Sequence, residues 1–132
     1  MFNKSTESAF AAMTFLAEYY NEAKTPYTAA AIAQERNLQR PFLAKILVQL
    51  AAAGLIKGTP GPRGGYYLAR PPNRIKLLDI AICFERNEAI LPCPFGLHQC
   101  RKKKRCPMHD QFVKLQENVK TFLADNTLAV FT

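Results

Sequence analysis

No apolar run in this chain approaches the ~18 residues that a membrane-crossing helix needs. The N-terminus also lacks the charged, apolar and small-residue order of a secretory signal. Both absences argue for a cytoplasmic protein with no membrane partner. Internal repeats and low-complexity segments are missing as well, which excludes a repeat array. No nucleophile, base and orienting group come together in the sequence. The one glycine-rich stretch, 58–65, lacks a following helix and the Lys-Ser/Thr pair of a phosphate loop. An enzyme is not expected.

Acidic residues are scarce over one long segment. Between positions 24 and 74, Glu35 stands alone against eight Lys/Arg (24, 36, 40, 45, 57, 63, 70 and 74), a local balance of 8 − 1 = +7 within a net charge of +8. Positions 101–105, Arg-Lys-Lys-Lys-Arg, add a second basic block. Nucleic acid is the expected partner of so basic a stretch, ahead of an anionic membrane surface, while a merely solvated face accounts for the composition equally well. With 132 residues, 48% of them apolar, the chain suits one domain with a modest core.

Cysteine is sparse but concentrated. Three of the four lie in Cys93-x6-Cys100-x5-Cys106, with His109 three positions further. Thiolates are soft ligands that select zinc, copper(I) or iron–sulfur clusters, and imidazole can complete such a set. In a reducing compartment these residues read as metal ligands or redox thiols in preference to a disulfide framework. Cys83 stands apart, inside an expected helix, and reads as a small buried hydrophobe. The stretch 87–107 is loop-like, and so long a loop in a compact domain needs an internal tie, which a metal would supply.

Helical spacing of Ala9, Met13, Leu16, Ala17 and Tyr20 predicts a first helix over 6–21. Thr28 is a candidate N-cap for a short helix to about Arg36, with Ile32 and Ala33 facing inward. Asn37-Leu38 then makes a turn. Pro41 suits the first turn of a third helix that reaches about Ala53, with Gln39 or Arg40 near its cap. Phe42, Leu43, Ile46, Leu47 and Leu50 form its buried stripe, and Gly54 is its stop. Two short helices across a tight turn match a helix-turn-helix. Residues 55–57 and 66–68 read as strands around a glycine- and proline-rich tip, which makes a β-hairpin wing.

Residues 76–86 predict another helix and 107–125 a long one. In the latter, Met108, Phe112, Leu115, Val119 and Phe122 recur at spacings of four, three, four and three. This heptad seam predicts a homodimer. The expected fold is mainly α, a winged helix-turn-helix with a two-stranded wing and a long C-terminal dimerisation helix. Residues 1–75 form the DNA-binding unit; residues 76–132 carry the cysteine loop and dimerisation helix and pack with it as one compact body. Gln39 and Arg40, with Pro41 beside them, are placed for base edges. Lys45, Lys57 and Arg63 are placed for phosphate or groove contacts, and Tyr27 and Thr28 for phosphate hydrogen bonds. Two-fold symmetry predicts a palindromic operator on double-stranded DNA, with half-sites ~34 Å apart.

Four segments in this order carry a resemblance: Leu50-Ala51-Ala52-Ala53-Gly54-Leu55-Ile56, Gly64-Gly65-Tyr66-Tyr67-Leu68-Ala69, Ile75-Lys76-Leu77-Leu78-Asp79-Ile80 and the three-cysteine loop. Over essentially the whole chain they resemble the Rrf-type winged helix-turn-helix regulators. The resemblance implies a homodimeric repressor or activator whose C-terminal helix crosses between subunits. It also implies a 2Fe–2S or 4Fe–4S cluster held by Cys93, Cys100, Cys106 and one further ligand. His109 stands where IscR-like members have a histidine ligand. Glu7 aligns with the acidic ligand that NsrR-like members take from the partner subunit, and His109 is preferred. The chain departs from the pattern in two places. Its first cysteine gap holds six residues, one more than in IscR-like proteins and as RirA-like members tolerate. Pro60 takes a wing position where many members carry Arg, with Arg63 three residues later. Two rival expectations stand beside the cluster: a closed zinc site of Cys93, Cys100, Cys106 and His109, and a metal-free thiol switch that pairs Cys100 with Cys106.

Overall fold

The computed structural model describes residues 2–85, 90–95 and 106–132. The elements run α1 (Lys4–Glu18), α2 (Ala29–Arg36), α3 (Arg40–Ala52), β1 (Ile56–Thr59), β2 (Gly65–Leu68), a 3-10 turn (Pro72–Arg74), α4 (Leu77–Ala81), α5 (His109–Asp125) and a last 3-10 turn (Leu128–Phe131). This is the mainly helical, winged arrangement the sequence predicts.

Local chemistry sets the reading head. The Thr28 hydroxyl accepts the Ala31 N–H at 3.1 Å and opens α2. Asn37 closes α2 at φ 54°, in the left-handed region that asparagine tolerates. The Leu38 N–H reaches back to the Ala33 carbonyl at 2.8 Å, so the chain reverses quickly into α3. Pro41 sits in the first turn of α3, where its missing N–H leaves no bond unmade. Gly54 ends α3 at φ 81°; its N–H bonds the Ala51 carbonyl at 3.0 Å and the Leu55 N–H bonds the Leu50 carbonyl at 3.1 Å.

The wing is an antiparallel pair that aligns Ile56 with Leu68, Lys57 with Tyr67, Gly58 with Tyr66 and Thr59 with Gly65. Its strands run further toward the tip than expected, and a third piece of backbone joins them. The Tyr27 N–H donates to the Tyr66 carbonyl at 2.9 Å, and the Tyr66 N–H to the Tyr27 carbonyl at 2.7 Å. Gly65 allows this approach. It holds φ 143°, and a Cβ there would lie 2.5 Å from the Tyr27 backbone.

Helix limits differ from the sequence expectation in three places. The first helix starts at Lys4 because Asn3 caps it, accepting the Thr6 N–H at 2.8 Å, and it stops at Glu18. The fourth is a short Leu77–Ala81 segment in place of 76–86. Beyond it the chain tightens, with the Cys83 N–H on Ile80 and the Phe84 N–H on Ala81, and residues 86–89 lie outside the described set. The fifth begins at His109, just after Pro107.

One apolar core joins all these elements. Met13, Ile32, Leu43, Leu47, Leu50, Ile56, Leu68, Ile75, Ile80, Leu123 and Leu128 are fully enclosed in it. Phe42, expected in the buried stripe of α3, is half-buried at its edge. The chain end is fastened by backbone. Leu77 donates to the Asn126 carbonyl and Leu128 to the Ile75 carbonyl, each at 2.9 Å. On α5, Leu123 alone is buried, whereas Leu115 and Phe122 are 48% and 59% exposed, and Met108 just before the helix is 39% exposed. No helix among the described residues is long and apolar enough to cross a membrane.

Candidate nucleic-acid interface and cysteine pocket

The residues expected to read DNA lie on α2, α3 and the wing. Gln39 holds the N-cap position of α3 without a side-chain capping bond, Arg40 and Pro41 begin its first turn, and all three are exposed, as are Lys45, Lys57 and Arg63. Thr28 is exposed at the start of α2, its oxygen engaged by the cap. Tyr27 is half-buried. Its ring packs edge-on to Phe15 at 5.2 Å and its backbone is committed to the wing. Arg36 belongs to the basic segment by count but not by position. Its guanidinium bonds Glu18 at 2.8 Å and the Ala11 carbonyl at 3.2 Å, and it lies over the Phe15 ring. It clamps α2 to α1. Val48 and Gln49, which sequence reasoning passed over, continue the outward face of α3, and Val48 is 60% exposed. Their spacing of three and four from Lys45 was the available signal.

Cys93, Cys106 and His109 line one pocket of about 110 Å³, walled by Phe95, Phe112, Val113 and Gln116. His109 is the first residue of α5, and its N–H bonds the Cys106 carbonyl at 3.0 Å. The arm carrying Cys93 is held on α5 by Gln116, whose amide donates to the Leu91 carbonyl at 2.6 Å. The Phe95 and Phe112 rings meet edge to face at 6.1 Å. Cys100 and the cations at 101–105 lie outside the described residues. Glu7 is exposed in the first turn of α1 and does not line this pocket. Among the described residues, no group of three His, Cys, Asp or Glu is spaced to hold a metal ion. The donor chemistry nevertheless suits a soft-metal group: two thiols and an imidazole share a largely apolar pocket, where water competes poorly.

Cys83 is separate from this pocket. Its Sγ–H donates to the Asp79 carbonyl at 3.3 Å. Burial raises its pKa above the ordinary thiol value, and the Asp79 charge pushes the same way. The folded state therefore disfavours the thiolate, so Cys83 costs stability as pH rises through the ordinary thiol range toward the raised value. Below that range it has no effect. Timed alkylation of the metal-free protein at pH 8, read by mass spectrometry, should label exposed Cys93 well before Cys83. Cys83 is half-buried just beyond α4, not a fully buried residue inside a helix as the sequence suggests, and equal rates would contradict even that partial burial.

A helix-turn-helix followed by a backbone-supported hairpin wing, with an exposed basic and polar face, defines a winged-helix DNA-binding transcription regulator. The chain belongs to the Rrf2 family, described as iron-dependent transcriptional regulators, whose model matches residues 2–132. A protein of Aquifex aeolicus named as an HTH-type transcriptional regulator is 30% identical over 99 residues, 74% of this chain and 69% of its own. The regulator IscR of Vibrio atlanticus is 24% identical over 94% of this chain and 71% of its own. Among solved structures, CymR, the global cysteine regulator of B. subtilis, superposes with a TM-score of 0.83 at 25% identity, covering 100% of this chain and 98% of that one. IscR of T. potens gives 0.74 at 27% identity, covering 98% and 83%. The protein is thus a DNA-binding transcription regulator and not an enzyme.

Proposed function

We propose that this Rrf2 regulator is a cytoplasmic homodimer whose operator affinity is set by an iron–sulfur cluster on Cys93, Cys100, Cys106 and His109. Glu7, reaching across the dimer, is the alternative fourth ligand. The reading rests on Cys93, Cys106 and His109 sharing one pocket at the head of α5. The likeness to IscR proteins supports it. When bound, such a cluster supplies an oxidation-sensitive group.

The chain's own residues do the rest. Cys93 and Cys106 tie the two arms of the loop to the start of α5. The cations at 101–105 would offset the negative charge of a cluster held by several thiolates. Releasing the tie loosens residues 90–107 and shifts the population of recognition-helix positions. Residues 1–75 read DNA, and residues 76–132 sense and dimerise. Gln39 and Arg40 contact base edges, with Pro41 shaping the turn and Val48 facing thymine methyls. Lys45, Lys57 and Arg63 make phosphate or groove contacts, and Tyr27 and Thr28 at the start of α2 add phosphate hydrogen bonds. The operator is palindromic.

A second reading is a metal-free thiol switch. The likeness to the cysteine regulator CymR favours it, as do the free thiols of exposed Cys93 and half-buried Cys106. Anaerobic purification with iron, acid-labile sulfide and zinc analysis separates the readings. The cluster reading expects a brown protein with iron and sulfide, and an operator affinity that changes about 5–150-fold on cofactor removal at fixed salt. Stoichiometric zinc without sulfide identifies a structural zinc site instead. A colourless, metal-free protein that forms a Cys100–Cys106 disulfide on oxidation identifies the thiol switch.

A further inference from the structure

The first turn of α1 is completed by a residue from far along the chain. A helix start leaves several N–H groups without intrahelical partners. Asn3 caps this one conventionally, its side-chain oxygen accepting the Thr6 N–H at 2.8 Å. In a capping box, a carboxylate three residues on would return to the Asn3 N–H. That position is Thr6, which cannot do so. The carboxylate comes from Glu85 instead, its Oε1 accepting the Asn3 N–H at 3.1 Å.

The same Oε1 accepts the Thr6 hydroxyl at 2.7 Å. Asn3 Oδ1 lies 3.0 Å from that hydroxyl, but a hydroxyl has one proton. The shorter, charge-assisted bond to Glu85 takes it. Asn3 answers by donating its side-chain amide to the Phe84 carbonyl at 2.8 Å. Thr6 is fully buried, so the cluster is shielded on that side. A negative charge here also suits the positive end of α1.

Each side of this contact leads to a part with a role. Glu85 is the last described residue before 86–89, and Cys93 follows eight positions after it. On the other side, Lys4 and Ser8 from the same turn of α1 line a pocket of about 380 Å³. Asn37, Leu38, Gln39 and Phe42 of the helix-turn-helix form its opposite wall. The start of α1 thus lies between the chain that enters the cysteine loop and the turn that aims α3.

We infer that Glu85, paired with Asn3 and Thr6, is a positioning residue that couples the cysteine-bearing segment to the recognition helix through the first turn of α1. This rests on the sensing function proposed above. Tension on the loop acts on Glu85. Its carboxylate holds or releases the start of α1, and the packing beneath the Asn37–Gln39 turn follows. Glu85 touches neither DNA nor the cofactor.

The test uses full-length wild type, Glu85→Ala, Glu85→Gln and Asn3→Ala. Operator affinity is measured for loaded and cofactor-free protein at one salt concentration, and amide exchange is followed over residues 4–8. Wild type should show an affinity ratio between the two forms of about tenfold or more. Glu85→Ala and Asn3→Ala should bring it below about twofold, and Glu85→Gln, which keeps the acceptor, should recover part of it. Iron content per chain should not change. Exchange over residues 4–8 should differ between loaded and cofactor-free wild type, and that difference should vanish in Glu85→Ala. A wild-type ratio of one sinks the sensing function itself. A wild-type ratio that survives in Glu85→Ala, or affinities lowered equally in both forms, overturns the coupling alone.

Discussion

Leu115→Asp combined with Phe122→Asp is expected to turn the proposed dimer into a monomer and to weaken operator binding at least about a hundredfold. Both side chains are large and apolar, 48% and 59% exposed on a single chain. With Met108 they recur every seven residues, which places them along one side of α5. Burying a Leu or Phe side chain stabilises by roughly 1.5–3 kcal/mol, and two-fold symmetry counts each residue twice. Carboxylates in their place would have to be desolvated opposite like charges, so the variant loses the apolar gain and adds repulsion. The isolated fold should survive, because the exposed side chains contribute little to the core. Sedimentation across a concentration series, with circular dichroism as control, reads the first effect; fluorescence anisotropy with the operator reads the second. A variant that remains dimeric would move the interface away from this helix.

Gly65→Ala should lower the melting temperature by about 10 °C or more and reduce operator affinity along with it. Two costs add. The backbone at φ 143° is a conformation that L side chains rarely adopt, worth about 1–3 kcal/mol. The new methyl would also meet the Tyr27 backbone, which bonds Tyr66 in both directions and cannot retreat without breaking that bridge. Gly61→Ala is the control. Its φ of 97° is also unusual, but nothing lies within 4 Å of a Cβ there, so it should be affected less. Equal losses at both positions would show that the Tyr27 contact contributes nothing beyond backbone strain.

Local signals carried the reading head. Thr28, Asn37, Pro41 and Gly54 act through their own hydrogen-bonding or dihedral limits, so their roles were legible residue by residue. The wing was legible from its glycines and flanking apolar residues, although its true length was not. The pairing of Tyr27 with Tyr66 joins distant positions and leaves no periodic trace. The same holds for Glu85 on Asn3 and for Arg36 on Glu18, pairs that lie 82 and 18 positions apart. The fourth helix was overestimated because apolar spacing continues to Phe84 while the backbone has already tightened. Of the cysteine site, sequence supplied the residue types, and folding brings Cys93 to Cys106 and His109 through Gln116 and the Phe95–Phe112 contact. Neither tie was visible beforehand, since each depends on where α5 lies.

The fastening of Asn126 and Leu128 to residues 75–77 makes α5 a lever with its pivot at the C-terminal end. Its one buried residue, Leu123, lies close to that pivot. A helix of this length spans about 25 Å, so a tilt of about five degrees would carry the His109 end through roughly 2 Å. A small pull beside the cysteines would therefore be magnified along the rod, and most of the travel would fall near Met108 and Phe112.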